Sequence, residues 1–361
     1  MEKKVLTKPD GRQLILYSRG PIAVQPMPGG GVTSPIHPNP HLRWHPLRSE
    51  WVVYATYRQD RTFLPPAEHN PLAPSSDPAQ PTELPAGDYD VAVFDNLFPA
   101  FSREAAAPPD LFVPTAPAHG ACEVVVFTQD PRQSLGRLPL AHLELILEVW
   151  ADRYRELGDR EDVRYVMPFE NRGTEVGVTL HHPHGQIYAY PFVPPIPERE
   201  LDSQARYFAE HGSGLLESII DHEIAERERL VYDTAEAVAF MPVFARYSYE
   251  VWVAPRRAAP SFADLSDRER QAFARALKTV LLKFDGLWGV PFPYVMVIHQ
   301  APTDGLAHPE AHLHVEFYPA FRMKGRLKYL AGSELGAGVF TADTLPEQKA
   351  AELRAVEVQL D

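Results

Sequence analysis

The segment Cys122–Trp150, "CEVVVFTQDPRQSLGRLPLAHLELILEVW", decides the fold because its pattern returns later in the chain. Tyr249–Leu277 reads "YEVWVAPRRAAPSFADLSDRERQAFARAL". Each copy opens as an apolar strand, crosses a turn holding proline and arginine, and continues at the spacing of an amphipathic helix. In the second copy Ser266 and Glu269 stand where a capping box starts a helix. Each unit then leads to a strand opening on Tyr-Val-Met, "YVMPFENRG" from Tyr165 and "YVMVIHQAP" from Tyr294. Each ends in a histidine-rich strand, "HPHGQIYAYP" from His182 and "HLHVEFYPAF" from His312. Three echoes in the same order indicate a duplicated unit.

The expected fold is therefore α+β, with duplicated units forming antiparallel sheets that carry helices on one face. The divisions are residues 1–40, an N-terminal hairpin and extension; 41–195, the first unit; and 196–361, a helical connector, the second unit and a closing helix. The hairpin is read from "KKVLT" and "RQLILYSR" flanking Pro9-Asp10-Gly11. Residues 64–88 hold too much proline for a helix or central strand and read as a linker or a surface loop. The connector reads as two helices broken at Gly212–Gly214, and Thr344 with Glu347 suggests a capping box for the last helix.

Composition narrows the function. A chain of 361 residues with a formal net charge of -13 at pH 7 lacks the basic footprint of a nucleic-acid or membrane-surface binder. Cys122 is the single cysteine, which excludes an intrachain disulfide and any multi-cysteine zinc site. No apolar run approaches membrane-span length and the N-terminus has no signal core, so the expected location is the cytoplasm.

On a strand, alternate residues share a face, so His182, His184 and Gln186 project together, as do His312, His314 and Glu316. A lone strand histidine is usually structural; two alternating polar triplets at matching repeat positions point to chemistry. The second triplet, with His299 upstream, suits metal ligation. The first ends in glutamine, a poor ligand but a good neutral donor. That pattern favours a nucleophilic His184 beside a side chain that binds a phosphoryl oxygen. A neutral imidazole can attack phosphorus when its far nitrogen is held by an acceptor such as a backbone carbonyl.

"FENRG", "HHPHGQIYA" and the distant "HLHVEFYP" together resemble the galactose-1-phosphate uridylyltransferase family of the histidine-triad superfamily. The resemblance runs from "LRWHPLRSEWVV" near Arg43 through "VFDNLFPAF" to "LKYLAGSEL" ending at Leu335. It implies ping-pong transfer of UMP from a UDP-hexose to a hexose 1-phosphate through a uridylyl-histidine on His184, with Gln186 steadying the phosphoryl charge. A sugar phosphate leaves without a proton, so glutamine suits transfer where a third histidine would suit hydrolysis. It further implies nucleotide or sugar contacts at Asn96, Asn171 and Thr179, and phosphate or hexose contacts at Lys328, Tyr329 and Glu334; Arg43, Arg58 and Arg61 are candidate phosphate or nucleotide contacts. A homodimer is implied, with Arg43 a candidate for crossing into the partner's site.

The resemblance also implies two metal sites. One is a cysteine-containing zinc site, predicted absent: Ser75 and Ser76 lie near the cysteine region, Pro131 takes a histidine's place, and His182 alone remains, held by hydrogen bonds or packing. The other, for one zinc or iron ion, falls on Glu200, His299, His314 and Glu316, with carboxylate replacing the family's usual histidine at Glu316 and His312 a possible substitute. Two rivals stand beside this reading. One is a nucleoside-diphosphate-sugar or dinucleotide phosphorylase on the same fold, with Ser333 loosening the sugar assignment; the other is a non-catalytic metal- or nucleotide-binding protein.

Overall fold

The computed structural model describes residues 1–27, 38–60, 64–66, 69–77 and 79–360. Its centre is an eleven-stranded sheet. In chain order the strands are β1 (Glu2–Thr7), β2 (Gln13–Ser18), β3 (Val91–Asp95), β4 (Ala121–Val126), β5 (Tyr165–Arg172) and β6 (His184–Tyr190). There follow β7 (Leu230–Asp233), β8 (Ala237–Phe240), β9 (Val251–Pro255), β10 (Tyr294–His299) and β11 (His314–Pro319). The spatial order is β1-β2-β3-β4-β6-β5-β10-β11-β9-β8-β7. Every neighbouring pair is antiparallel.

For five strands on each side the order reads the same outward from the β5–β10 seam, with β1 an extra strand at one edge, so the two units join through equivalent strands. Phe169 lies opposite Val297 across the seam, and these residues also face Gln186 and Glu316 on their outer neighbours. A pseudo-two-fold axis therefore passes between Phe169 and Val297. This corrects the repeat alignment drawn from the shared Tyr-Val-Met. Tyr294 is buried in the helix-covered core, whereas Tyr165 borders the recess around Glu200, His299 and His314 on the other face. The two tyrosines are one residue out of register, and a one-residue slip moves a side chain to the opposite face.

Helices α1 (Leu140–Gly158) and α4 (Asp267–Trp288) cover one face. Leu143, Ile146, Leu147 and Trp150 of α1 pack with Phe273, Leu277, Val280 and Phe284 of α4 over Val125, Ile187, Met296 and Phe317 of the sheet. Each such buried side chain contributes about 1.5–3 kcal/mol relative to exposure. The capping box expected at α4 is present, with Ser266 and Glu269 each accepting the other's backbone N–H. The connector forms α2 (Pro195–His211) and α3 (Leu215–Glu226), broken where Gly212 takes φ 71°. Its α3 packs Leu216 and Ile220 on Val238 and Phe240, the face of β8 opposite Ala237 and Ala239.

The closing helix α5 (Pro346–Arg354) departs from expectation. Its N-cap is Leu345 rather than Thr344, and Glu347 instead pairs with Arg229 at 2.9 Å. Proline at the first helical position supplies the start signal. The expected N-terminal hairpin is β1 and β2, and β2 pairs with β3, so it extends the main sheet. Among the described residues, no helix is long and apolar enough to cross a membrane.

Candidate functional site

The face of β6 opposite the helices carries His184, Gln186, Tyr188 and Tyr190, because Ile187 and Ala189 are claimed by the core. Glycine at 185 is a packing requirement. A Cβ there would lie 2.7 Å from the Phe127 ring and 2.9 Å from the Phe169 carbonyl oxygen, which β5 cannot yield without moving.

His184 Nδ1 is 2.7 Å from the backbone oxygen of His182. A carbonyl only accepts, so Nδ1 bears the proton and Nε2 keeps its lone pair. Burial lowers the His184 pKa from its ordinary value, outweighing the upward pull of that carbonyl. The ring is thus neutral at neutral pH. A recess of about 100 Å³ borders it, lined by Asn171, Ser134, His181 and Thr174 among others. Extending the β5–β6 register by two residues brings Asn171 opposite His184, as His299 stands opposite His314 in the second unit.

His182 is 2 % exposed and held at both nitrogens. Its Nε2–H donates to the Thr128 carbonyl at 2.7 Å, and its Nδ1 accepts from Asn70 Nδ2 at 2.9 Å. Sequence reasoning placed Ser75 and Ser76 in this neighbourhood; the residue that meets His182 is Asn70. It sits in the proline-rich tract, where no spacing marks it out.

The second histidine strand repeats the backbone device. His314 Nδ1–H donates to the His312 carbonyl at 2.8 Å, freeing Nε2. One ligand atom each from Glu200, His299 and His314 lies within 4.8 Å of the others, a group able to hold a metal ion. Glu200 comes from α2, and its carboxylate accepts from His299 Nδ1 at 2.6 Å. Glu316 Oε1 stands 3.5 Å from His314 Nε2, while its Oε2 accepts from Arg246 at 3.3 Å and from Tyr318. Arg246 is a residue the sequence did not single out. His312, weighed as a substitute ligand, spends Nε2 on the Pro255 carbonyl at 2.8 Å. Buried atoms Gln204 Oε1, Gln300 Nε2 and His312 Nδ1 lack partners among the described residues, and all three residues line this recess. Two histidines and two carboxylates near unsatisfied buried polar atoms fit a zinc or iron ion.

The two histidine sites lie at opposite ends of the central strands. At ~3.3 Å per residue and ~4.8 Å per strand, His184 and His314 are separated by roughly 20 Å. The Glu200, His299 and His314 group is therefore remote from His184.

The remaining expected contacts are dispersed. Arg43 lies in a three-stranded sheet with its guanidinium 4.0 Å from the centre of the Tyr54 ring. Arg58 donates to the Phe98 carbonyl at 2.8 Å, and Arg61 falls outside the described residues. Asn96 Oδ1 accepts from Phe98 N at 2.9 Å, shaping a turn beside a cleft of about 480 Å³. The Thr179 carbonyl accepts from Leu64 N at 2.8 Å. Lys328 and Glu334 belong to one surface segment: Lys328 Nζ donates to the Thr341 carbonyl at 2.7 Å, and Glu334 accepts from Thr341 N at 3.2 Å. Tyr329 beside them is 78 % exposed. None of these three lines the recess at His184.

Comparison with known proteins addresses the whole chain. The model of the galactose-1-phosphate uridyl transferase N-terminal domain matches residues 34–194, and that of the C-terminal domain matches 200–360. A galactose-1-phosphate uridylyltransferase of Thermotoga maritima is 36 % identical over 326 residues, covering 88 % of this chain and 99 % of the relative. One from Streptomyces lividans is 33 % identical, covering 99 % of this chain and 98 % of its own. A solved uridylyltransferase structure superimposes with a TM-score of 0.78 at 33 % identity, covering 88 % of this chain and 98 % of the other.

Proposed function

The chain belongs to the galactose-1-phosphate uridyl transferase family, and from that premise we propose that it moves UMP from UDP-glucose to galactose 1-phosphate through His184. The observation that carries the reading is the fixed tautomer: Nδ1–H tied to the His182 carbonyl, Nε2 bare, and Gln186 two residues on along the same face. In the first half-reaction Nε2 bonds to the α-phosphorus and the bond to the bridging oxygen breaks, releasing glucose 1-phosphate. The charge arising on the ring is met by the His182 carbonyl, and Gln186 donates to a phosphoryl oxygen. In the second, an oxygen of galactose 1-phosphate attacks the same phosphorus and Nε2 leaves. Neither half needs a proton delivered, which is why a neutral amide serves at Gln186.

Asn171 and Thr179 would serve the sugar and phosphates near His184, and Asn96, Arg43, Arg58 and Arg61 the nucleotide. Lys328, Tyr329 and Glu334 would contact phosphate or hexose. The assembly is read as a homodimer in the cytoplasm, with Arg43 the candidate to cross between subunits. Product analysis tests the reaction. UDP-glucose should give sustained release of glucose 1-phosphate only when galactose 1-phosphate is supplied. Sustained release with inorganic phosphate alone would make the protein a phosphorylase instead.

One zinc or iron ion is assigned to Glu200, His299 and His314, with Glu316 Oε1 the fourth donor; it would tie α2 to β10 and β11 and stiffen that end of the sheet. Metal analysis of protein purified without chelator should return about one ion per chain, and His299→Ala should lower that occupancy. Trace metal alone in the wild-type protein refutes the site.

A further inference from the structure

The cysteine-containing zinc site implied by the resemblance does not fit this chain, which has Cys122 as its single cysteine and whose His182 spends both ring nitrogens on Asn70 and the Thr128 carbonyl. We propose that Asn70 is a positioning residue for the nucleophile, taking over by hydrogen bonding the orientation that such an ion would provide. This rests on the reading of His184 as the nucleophile.

The geometry forms a continuous relay. Asn70 Oδ1 accepts from Leu72 N at 3.0 Å, which fixes the amide so that its Nδ2–H faces His182 Nδ1 at 2.9 Å. With Nδ1 accepting, the proton of His182 resides on Nε2 and points at the Thr128 carbonyl, 2.7 Å away. Both edges of the imidazole are then pinned, and the residue's own carbonyl receives His184 Nδ1–H at 2.7 Å. At metal sites, partners that hold a ligating histidine ring typically carry a roughly ten- to hundredfold effect, and the same order is taken for this relay.

The duplicated unit supplies an internal comparison. His312 has the same carbonyl role toward His314, and its Nε2 also donates to a strand carbonyl, that of Pro255. Its Nδ1 is buried with no partner among the described residues. Among those residues the amide thus appears in the copy that carries the proposed nucleophile and not in the other.

Rapid-quench measurement of the uridylyl-protein formed from UDP-glucose tests the assignment in three proteins: wild type, Asn70→Ala and Asn70→Asp. The alanine variant should form the adduct roughly 10- to 100-fold more slowly at saturating UDP-glucose, with the half-saturating concentration changed less than about twofold. The aspartate variant keeps the acceptor for Leu72 N but loses the N–H, so it separates the turn from the relay. Its carboxylate meets His182 favourably only when Nδ1 is protonated. The rate should therefore recover as pH falls from 9 toward 6, a trend absent in Asn70→Ala; the charges acting on His182 are those of His184 and Asp130. Wild-type rates in both variants overturn the proposal. So does a loss in which rate, half-saturation and thermal midpoint all worsen together in both variants with no pH recovery, because that marks a folding defect. Absence of any adduct on the wild-type protein removes the nucleophile itself, and the proposal with it.

Discussion

His184→Ala is expected to abolish transfer of UMP to the protein and to lower turnover by roughly 10⁴-fold or more, the scale seen when a covalent nucleophile is deleted. The size follows from how much of the site converges on one atom. The His182 carbonyl fixes the tautomer at 2.7 Å, Gly185 lets Phe127 and Phe169 close on the strand, and Gln186 waits on the same face. The adjacent His182 offers no second nucleophile, because both its nitrogens are bonded. The check is intact mass after brief exposure to UDP-glucose, with peptide mapping of the adduct. Undiminished labelling of the alanine variant would refute the assignment. The pH profile carries the same logic. Burial holds the His184 pKa below its ordinary value near ~6.5, so the neutral ring persists into mild acid. The acidic limb of adduct formation should fall below that value, and a limb above it contradicts the proposed state.

The second large effect concerns stability. Arg153 of α1 forks onto Glu123 of β4 at 2.9 and 2.7 Å, and both residues are 1 % exposed. Arg153→Ala leaves a carboxylate buried without its partner, at a cost of about 3–5 kcal/mol. Replacing the pair together, as Glu123→Leu with Arg153→Met, removes both charges and should restore most of the loss. Urea denaturation compares the three proteins. A single variant as stable as wild type, or a double variant worse than the single, would show that the fork is not what holds α1 to the sheet there.

Much of this architecture was legible because duplication repeats its own evidence. Strand, helix and histidine strand recur with matching polar residues, and alternation assigned His184 and Gln186 to one face; His182, expected on the same strand, instead precedes β6, which starts at His184. What failed was local. The shared Tyr-Val-Met suggested a register that the buried faces reject: chance identity of three residues is weaker than the pairing of Phe169 with Val297. Thr344 and Glu347 satisfied a capping pattern, but Arg229 draws Glu347 away and proline starts the helix. Asn70 and Arg246 were invisible, since their partners lie 112 and 70 positions away in sequence and no periodicity joins such residues. Of the cluster Glu200, His299 and His314, the two histidines were marked by the strand pattern, whereas Glu200 was reached through the resemblance, because α2 delivers it from outside the repeat.

The seam between Phe169 and Val297 bears on how such a chain diversifies. Were the two units separate copies of one gene product, every substitution would appear on both sides of the axis at once. A change that favoured ion binding around one histidine would then be imposed on the other, the proposed nucleophile. Covalent fusion lifts that constraint while leaving the shared sheet intact. One half is free to keep a bare nitrogen and a glutamine, and the other to gather carboxylates at Glu200 and Glu316. Loss of symmetry in sequence, under conserved symmetry of backbone, is what allows one protein to divide chemistry from anchorage.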